Sequence, residues 1–291
     1  MIKGSYVALV TPFKNNEIDY NALEKLIDFQ LENSTDGILL CGTTGESPAL
    51  AGDEKERLVR FALKKIDGKI PVMLGTGTNN VSHTISVTIR AQEWGVDSAL
   101  VITPYYNKPT QNGLYLHFKA VAENTNIPII IYNVPSRTGV NMTAETTLKL
   151  AHEFKNIIGI KEASADLGQL SQIIKYAPPD FAVLSGEDAL NYPILCCGGS
   201  GVISVTANIV PGKVHNLVDF VEKGKYGKAR ELHLELLELN KAMFYETNPI
   251  PVKESLHLMG MIEREFRLPM CEMQEENLIK LKSVLEKYKL I

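Results

Sequence analysis

Cysteine, positive charge and long apolar runs are all scarce in this sequence, and each shortage excludes something. There are four cysteines, Cys41, Cys196, Cys197 and Cys271, with no CxxC pair and no metal-ligand spacing. Cys196 and Cys197 are adjacent and cannot easily bridge each other. The expectation is free, mostly buried thiols in a reducing cytoplasm. No apolar run reaches the length needed to span a bilayer. The opening residues, Met1-Ile2-Lys3-Gly4-Ser5-Tyr6, enter a strand pattern almost at once, so no signal peptide is expected. Lys and Arg total 30 against 34 Asp and Glu, a net charge of -4. That balance offers no basic footprint for nucleic acid or an anionic membrane. Low-complexity segments and disordered linkers are also missing. The 291 residues, 45% of them hydrophobic, suffice for one large domain or two ordinary ones.

What the chain does have is repetition. Short apolar runs recur at Tyr6–Val10, Gly37–Cys41, Pro71–Gly75, Ser98–Ile102, Pro128–Tyr132, Ile157–Lys161, Phe181–Leu184 and Gly201–Ser204. Amphipathic stretches lie between them, among them Tyr20–Leu31, Asp53–Lys65, Val81–Trp94, Gly113–Asn124 and Ala144–His152. Strand–helix alternation repeated eight times is the pattern of an α/β fold of the (β/α)8 TIM barrel type. A doubly wound open sheet is the alternative. Against it, the turn Gly75-Thr76-Gly77-Thr78-Asn79-Asn80 lacks the third glycine of a dinucleotide-binding loop. Residues 210–224 fit a closing helix opened by Pro211, so the barrel is expected over 1–224. The remaining 225–291 carry no strand signal. There Ala229, Leu232, Leu236, Leu239 and Met243 share one helical face, and Leu278, Leu281, Leu285 and Tyr288 another. Asn248-Pro249-Ile250-Pro251 breaks the helices between them. This reads as a C-terminal helical appendage packed on the barrel.

In such barrels the chemistry gathers at the C-terminal ends of the strands. No histidine ends a strand: His83, His117, His152, His215, His233 and His257 all fall in helical stretches, and no pair has zinc-type spacing, so no metal is expected. The loops after the seventh and eighth strands carry no Lys or Arg near the strand ends, so a phosphate clamp is not evident. What the ends do supply is Thr43-Thr44, Tyr105-Tyr106, Tyr132 and one lysine, Lys161. Lys161 follows the unalternated run Ile157-Ile158-Gly159-Ile160, which reads as a strand buried on both faces. A lysine there either snorkels to solvent, pairs with Glu162 or Asp166, or loses its proton and becomes a nucleophile. In the last case the amine would form an imine with a keto acid, and the imine would act as the electron sink for carbon–carbon bond formation. Tyr132, one strand away, could shuttle protons if the registers align. Gly42 and Gly45 flank the threonine pair and would allow a tight turn that presents backbone N–H groups to a carboxylate.

Three segments carry a resemblance: Gly42-Thr43-Thr44-Gly45-Glu46, Tyr132-Asn133-Val134-Pro135-Ser136-Arg137-Thr138-Gly139 and Gly159-Ile160-Lys161-Glu162. In this order they resemble the pyruvate-dependent class I lyase/aldolase superfamily, and within it the dihydrodipicolinate synthases. The similarity covers essentially the whole chain. It implies that Lys161 forms a Schiff base with pyruvate. It implies a proton relay of Tyr132, Thr43 and Tyr106, the last lent by a neighbouring subunit. Thr44 and the Ile203 backbone would hold pyruvate, with Gly186 contributing a backbone group nearby. Arg137 would receive the carboxylate of L-aspartate 4-semialdehyde, and the product, 4-hydroxy-tetrahydrodipicolinate, leads to diaminopimelate and lysine. The resemblance further implies no cofactor, a cytoplasmic enzyme, and a homotetramer built as a dimer of tight dimers.

Two other readings stay open: an N-acetylneuraminate or 2-keto-3-deoxy sugar-acid aldolase with the same lysine, and a ligand-binding barrel without catalysis. Arg137 favours the synthase, because a guanidinium suits a second substrate bearing a carboxylate. One departure concerns regulation. Lysine-inhibited members have an acidic residue where His83 falls and histidines where Gly52 and Lys55 fall. Asn79 and Ser47 do match. Weak or absent feedback by lysine is the expectation.

Overall fold

In a computed structural model, which describes residues 2–291, ten strands form. They are β1 (Gly4–Ala8), β2 (Phe13–Lys14), β3 (Glu17–Ile18), β4 (Gly37–Leu40), β5 (Val72–Gly75), β6 (Ser98–Ile102), β7 (Ile129–Asn133), β8 (Ile157–Glu162), β9 (Ala182–Ser185) and β10 (Gly201–Ser204). Eight of them close into a barrel in the order β1-β10-β9-β8-β7-β6-β5-β4, so the open-sheet alternative falls. Within the barrel β1 and β4, β5 and β6, β6 and β7, β7 and β8, β8 and β9, and β9 and β10 pair in parallel. Parallel strands covered on both faces read as continuous apolar runs. Ile129, Ile130 and Ile131 illustrate this, each with 0% exposure.

By internal contacts the chain divides into two compact units. Of the described residues, the first comprises 2–4 and 71–203. It holds β5 to β9, most of β10, and the helices Val81–Trp94, Gln111–Glu123, Ala144–Glu153 and Leu167–Tyr176, each packed against the next. Asn80, Thr110, Thr143 and Asp166 start these helices by accepting a backbone N–H with their side chains, as short polar residues do at helix N-termini.

The second unit comprises residues 5–70 and 204–291. It holds β4, most of β1, and the helices Tyr20–Glu32, Gly52–Ile66, Pro211–Glu222, Tyr226–Ala242, Ile250–Leu258 and Glu275–Lys287. Ala229, Leu236, Leu239, Met243, Leu278, Leu281 and Leu285 are all buried, as their helical spacing anticipates. The first strand starts and stops two residues earlier than the apolar run Tyr6–Val10 suggested. Val10 gives its N–H to the Asn208 side chain at 3.1 Å instead of to a strand. The hairpin β2–β3 went unread. Its turn residues Asn15 and Asn16 both adopt positive φ, 53° and 61°, the backbone of a tight two-residue hairpin.

The cysteine expectation needs correcting. All four are free, but only Cys41 is buried; Cys196, Cys197 and Cys271 are exposed. Cys196 and Cys197 sit at the end of a short helix and Cys271 lies in the loop before the last one, where apolar character does not guarantee a place in the core.

Candidate active site

The first unit brings Lys161 and Tyr132 side by side. Strands β7 and β8 pair Tyr132 with Lys161 and Asn133 with Glu162. The alignment depends on an irregularity lower down, where Ile129 pairs with Ile157 but Ile130 already pairs with Gly159. Side chains alternate along a strand, so a one-residue skip decides which face Lys161 occupies opposite Tyr132. Gly159 itself admits no side chain: a Cβ would meet the Ala182 carbonyl oxygen at 2.7 Å.

Lys161 is 6% exposed and Tyr132 8%. The Lys161 Nζ lies over the Tyr132 ring, 4.4 Å from its centroid. Among the described residues no carboxylate lies within ion-pair distance of Lys161. Burial lowers its pKa from 10.5 to about 8; the charges of Asp188 and Glu187 oppose the fall and that of Arg137 adds to it. At neutral pH about one molecule in ten therefore carries the free amine. Room beside the lysine comes from Gly186, where a Cβ would stand 3.0 Å from Lys161 Cε.

The backbone beyond Lys161 is held by its neighbour. Glu162, 2% exposed, accepts from Asn133 Nδ2 at 3.1 Å, from the Ser164 N–H at 2.7 Å and from Gln169 Nε2 at 3.0 Å. The acidic residue next to the lysine thus anchors the strand end, and pairing between the two is not the arrangement found. Arg137 is exposed on the short helix Pro135–Thr138 that follows β7. Tyr106 is 87% exposed and adopts a positive φ of 77°, an uncommon backbone for a bulky residue. Ile203 is buried in β10.

In the second unit, the turn after β4 carries Thr43, half-buried, and Thr44, 2% exposed. The left-handed residues are Cys41 and Glu46, each at φ 50°, and not the flanking glycines. Gly45 suits a crowded position, since a Cβ there would lie 3.2 Å from the Leu9 carbonyl oxygen. The N–H groups of Gly45, Glu46 and Ser47 bond back to Gly42 and Thr43 carbonyls, so those three are not the ones offered to a carboxylate. Asn248 Nδ2 donates to Thr44 Oγ1 at 3.0 Å. That leaves the threonine's own hydrogen for a further acceptor. Sequence reasoning treated Asn248 only as a helix breaker; its side chain gave no signal of this contact.

No described group of three or more His, Cys, Asp or Glu is arranged to hold a metal, and no described helix is long and apolar enough to cross a membrane.

Known proteins resemble this chain over its whole length. The model of the dihydrodipicolinate synthetase family matches residues 1–288. The 4-hydroxy-tetrahydrodipicolinate synthase of Hydrogenobaculum sp. is 50% identical over 291 residues, covering 100% of both chains. The crystal structure of dihydrodipicolinate synthase from Aquifex aeolicus is 50% identical, with a TM-score of 0.97 and 99% of each chain covered. That from Thermotoga maritima is 46% identical, with a TM-score of 0.98 over 100% of each chain. The chain belongs to the dihydrodipicolinate synthetase family.

Proposed function

We propose that the chain catalyses its family's reaction, the condensation of pyruvate with L-aspartate 4-semialdehyde to 4-hydroxy-tetrahydrodipicolinate, on the route to diaminopimelate and lysine. The observation that carries this reading is the buried Lys161 amine, held opposite Tyr132 with its pKa lowered to about 8. The neutral amine adds to the keto carbon of pyruvate, and loss of water leaves a protonated imine. The imine draws electrons from the adjacent methyl carbon, which gives up a proton and becomes the enamine nucleophile. The enamine attacks the aldehyde carbon of the second substrate. The amino group of that substrate then displaces Lys161 from the imine carbon, closing the ring and freeing the lysine. One water is released overall.

Tyr132, Thr43 and Tyr106 pass the protons in these steps. The exposure of Tyr106 fits its being lent to a neighbouring subunit, in a homotetramer assembled from tight dimers. Thr44 and the Ile203 backbone hold pyruvate, Gly186 leaves space beside the imine, and Arg137 takes the semialdehyde carboxylate in a bidentate grip. The imine is the electron sink, so neither metal nor organic cofactor enters. Four free cysteines suit a reducing cytoplasm.

Incubation with pyruvate and borohydride followed by mass spectrometry tests the reading. The expected result is one reduced pyruvyl adduct, on the peptide containing Lys161. An adduct elsewhere, or faster turnover with N-acetylneuraminate or 2-keto-3-deoxygluconate than with the two proposed substrates, would overturn it. Feedback by lysine is expected to be weak, because His83 stands where lysine-inhibited relatives carry an acid. Half-inhibition at sub-millimolar lysine would contradict that.

A further inference from the structure

A second lysine in the molecule is more deeply buried than Lys161 and takes no part in the steps above. Lys253, on the helix Ile250–Leu258, is 1% exposed, and its Nζ lies 2.5 Å from Glu46 Oε1, itself 2% exposed by side chain. The Lys253 ammonium sits 4.3 Å from the Phe13 ring centroid and 5.0 Å from that of Phe266. Arg267 covers Phe13 too, at 4.4 Å. Its two terminal guanidinium nitrogens donate to the Glu54 carboxylate at 2.8 and 2.7 Å, and its backbone N–H donates to Glu46 Oε2 at 3.2 Å. Both Glu46 oxygens are therefore engaged by the C-terminal region, more than 200 residues along the chain.

Such an arrangement is costly for mere cohesion. Two charges removed from water gain little over a well-packed apolar pair, but breaking one partner away is severe. The attested use of a buried pair is to fix one geometry among several. The geometry at stake here is identifiable. Glu46 ends the Gly42-Thr43-Thr44-Gly45-Glu46 turn in a left-handed backbone, which glutamate does not favour. Its N–H closes the turn onto the Thr43 carbonyl at 3.0 Å, and Thr11 Oγ1 holds the Gly45 carbonyl at 2.7 Å. The Glu46 side chain is thus the tether by which the turn is fastened from outside.

We infer that Glu46 and Lys253 are positioning residues for pyruvate capture: their ion pair holds the Thr43-Thr44 turn in the conformation that receives the substrate carboxylate. This rests on the reading that the turn binds pyruvate. The pair touches no substrate and acts only through Thr43 and Thr44.

The experiment compares Lys253→Met, Glu46→Gln and the double variant with the wild-type enzyme. The readouts are KM for each substrate, the pyruvate dependence of borohydride-trapped adduct, and thermal unfolding. Each single change is expected to raise KM for pyruvate about 10-fold or more while KM for the semialdehyde moves less than about 2-fold. In the double variant no buried charge is left unmatched, so thermal stability returns toward wild type. The pyruvate KM is expected to stay high, because the tether is still missing. Recovery of pyruvate KM together with stability would make the pair purely structural and overturn the inference. Equal shifts in both KM values would do the same. If the single variants fail to fold, Phe266→Leu, which only loosens the contact with Lys253, is expected to raise pyruvate KM about 2-fold with no change for the semialdehyde; no change for pyruvate would overturn the inference. Wild-type enzyme that traps no pyruvate would instead bring down the functional reading itself.

Discussion

Lys161 and Lys253 are both buried lysines, yet their surroundings make them different instruments. Each has its ammonium disfavoured chiefly by burial. Lys253 has a carboxylate at 2.5 Å and two aromatic faces around it, which stabilise the charged form. Lys161 has a phenol ring and no carboxylate within ion-pair reach among the described residues. Its acids, Asp188 and Glu187, act only through their fields. A lysine buried with a partner keeps its charge and fastens structure. A lysine buried without one gives up its proton more readily, and the free amine becomes accessible near neutral pH.

The largest effect expected from this contrast is a reversal of sign in stability. Lys161→Met should abolish the pyruvate adduct and lower turnover by at least about 10^4-fold, yet stabilise the fold. The folded-state pKa, about 8, lies below the unfolded value of 10.5. Below pH 8 both states are protonated and the folded protein bears the full cost of a buried ammonium. Between about 8 and 10.5 the unfolded chain binds more protons, so wild-type stability rises with pH. The gain from methionine should therefore be about 3 kcal/mol at neutral pH and shrink toward zero near pH 10.5. Lys253→Met strands Glu46 and should cost about 3–5 kcal/mol, while turnover at saturating pyruvate survives. Denaturant unfolding of both variants at neutral and alkaline pH checks this. Should both lose stability alike, the distinction between the two lysines fails.

The same contrast marks what could be read in the sequence. Lys161 stood out because it ends an unalternated apolar run that reads as a two-sided strand, and Tyr132 because it ends the run before. The barrel followed from eight such runs. Lys253 was not legible. On a short helix among Ile250, Val252 and Leu256, one lysine gives no sign of where it points, and its partner is 207 positions away. Glu46 lay inside a motif already singled out, but nothing in the pattern gave its carboxylate a role. Short-range pattern singled out the lysine, and the family resemblance supplied the role proposed for it. The tether depends on contacts distant in sequence, to which periodicity is blind. The backbone of the turn was not legible for a related reason: packing put left-handed conformation on Cys41 and Glu46 and set Gly45 in a close contact.

A smaller effect separates the roles of the cations near Lys161. Arg137→Ala should reduce kcat/KM for the semialdehyde by about 100-fold, the equivalent of a lost charge-assisted bidentate contact. Trapping of pyruvate should persist. Because Arg137 depresses the Lys161 pKa, its removal should also move the pH midpoint of adduct formation upward. The shift should be slight, since the guanidinium is exposed and screened by solvent. An equal loss in both substrates would remove Arg137 from its assigned role.

The smallest effect asks whether the acids near Lys161 matter through their charge. Glu187 is half-buried, and burial, then Asp188, raises its own pKa. Its negative charge favours the ammonium form of Lys161. Glu187→Gln keeps the shape and deletes the charge, so the Lys161 pKa should fall further. In wild type, the rate of adduct formation with pyruvate should rise with pH and level off above about 8. In the variant that profile should slide to lower pH, raising the rate at pH 7 by up to about 2-fold. A slide in the opposite direction would mean that Glu187 hinders protonation of the amine. The lowered pKa of Lys161 could then no longer be explained by burial working against neighbouring acids.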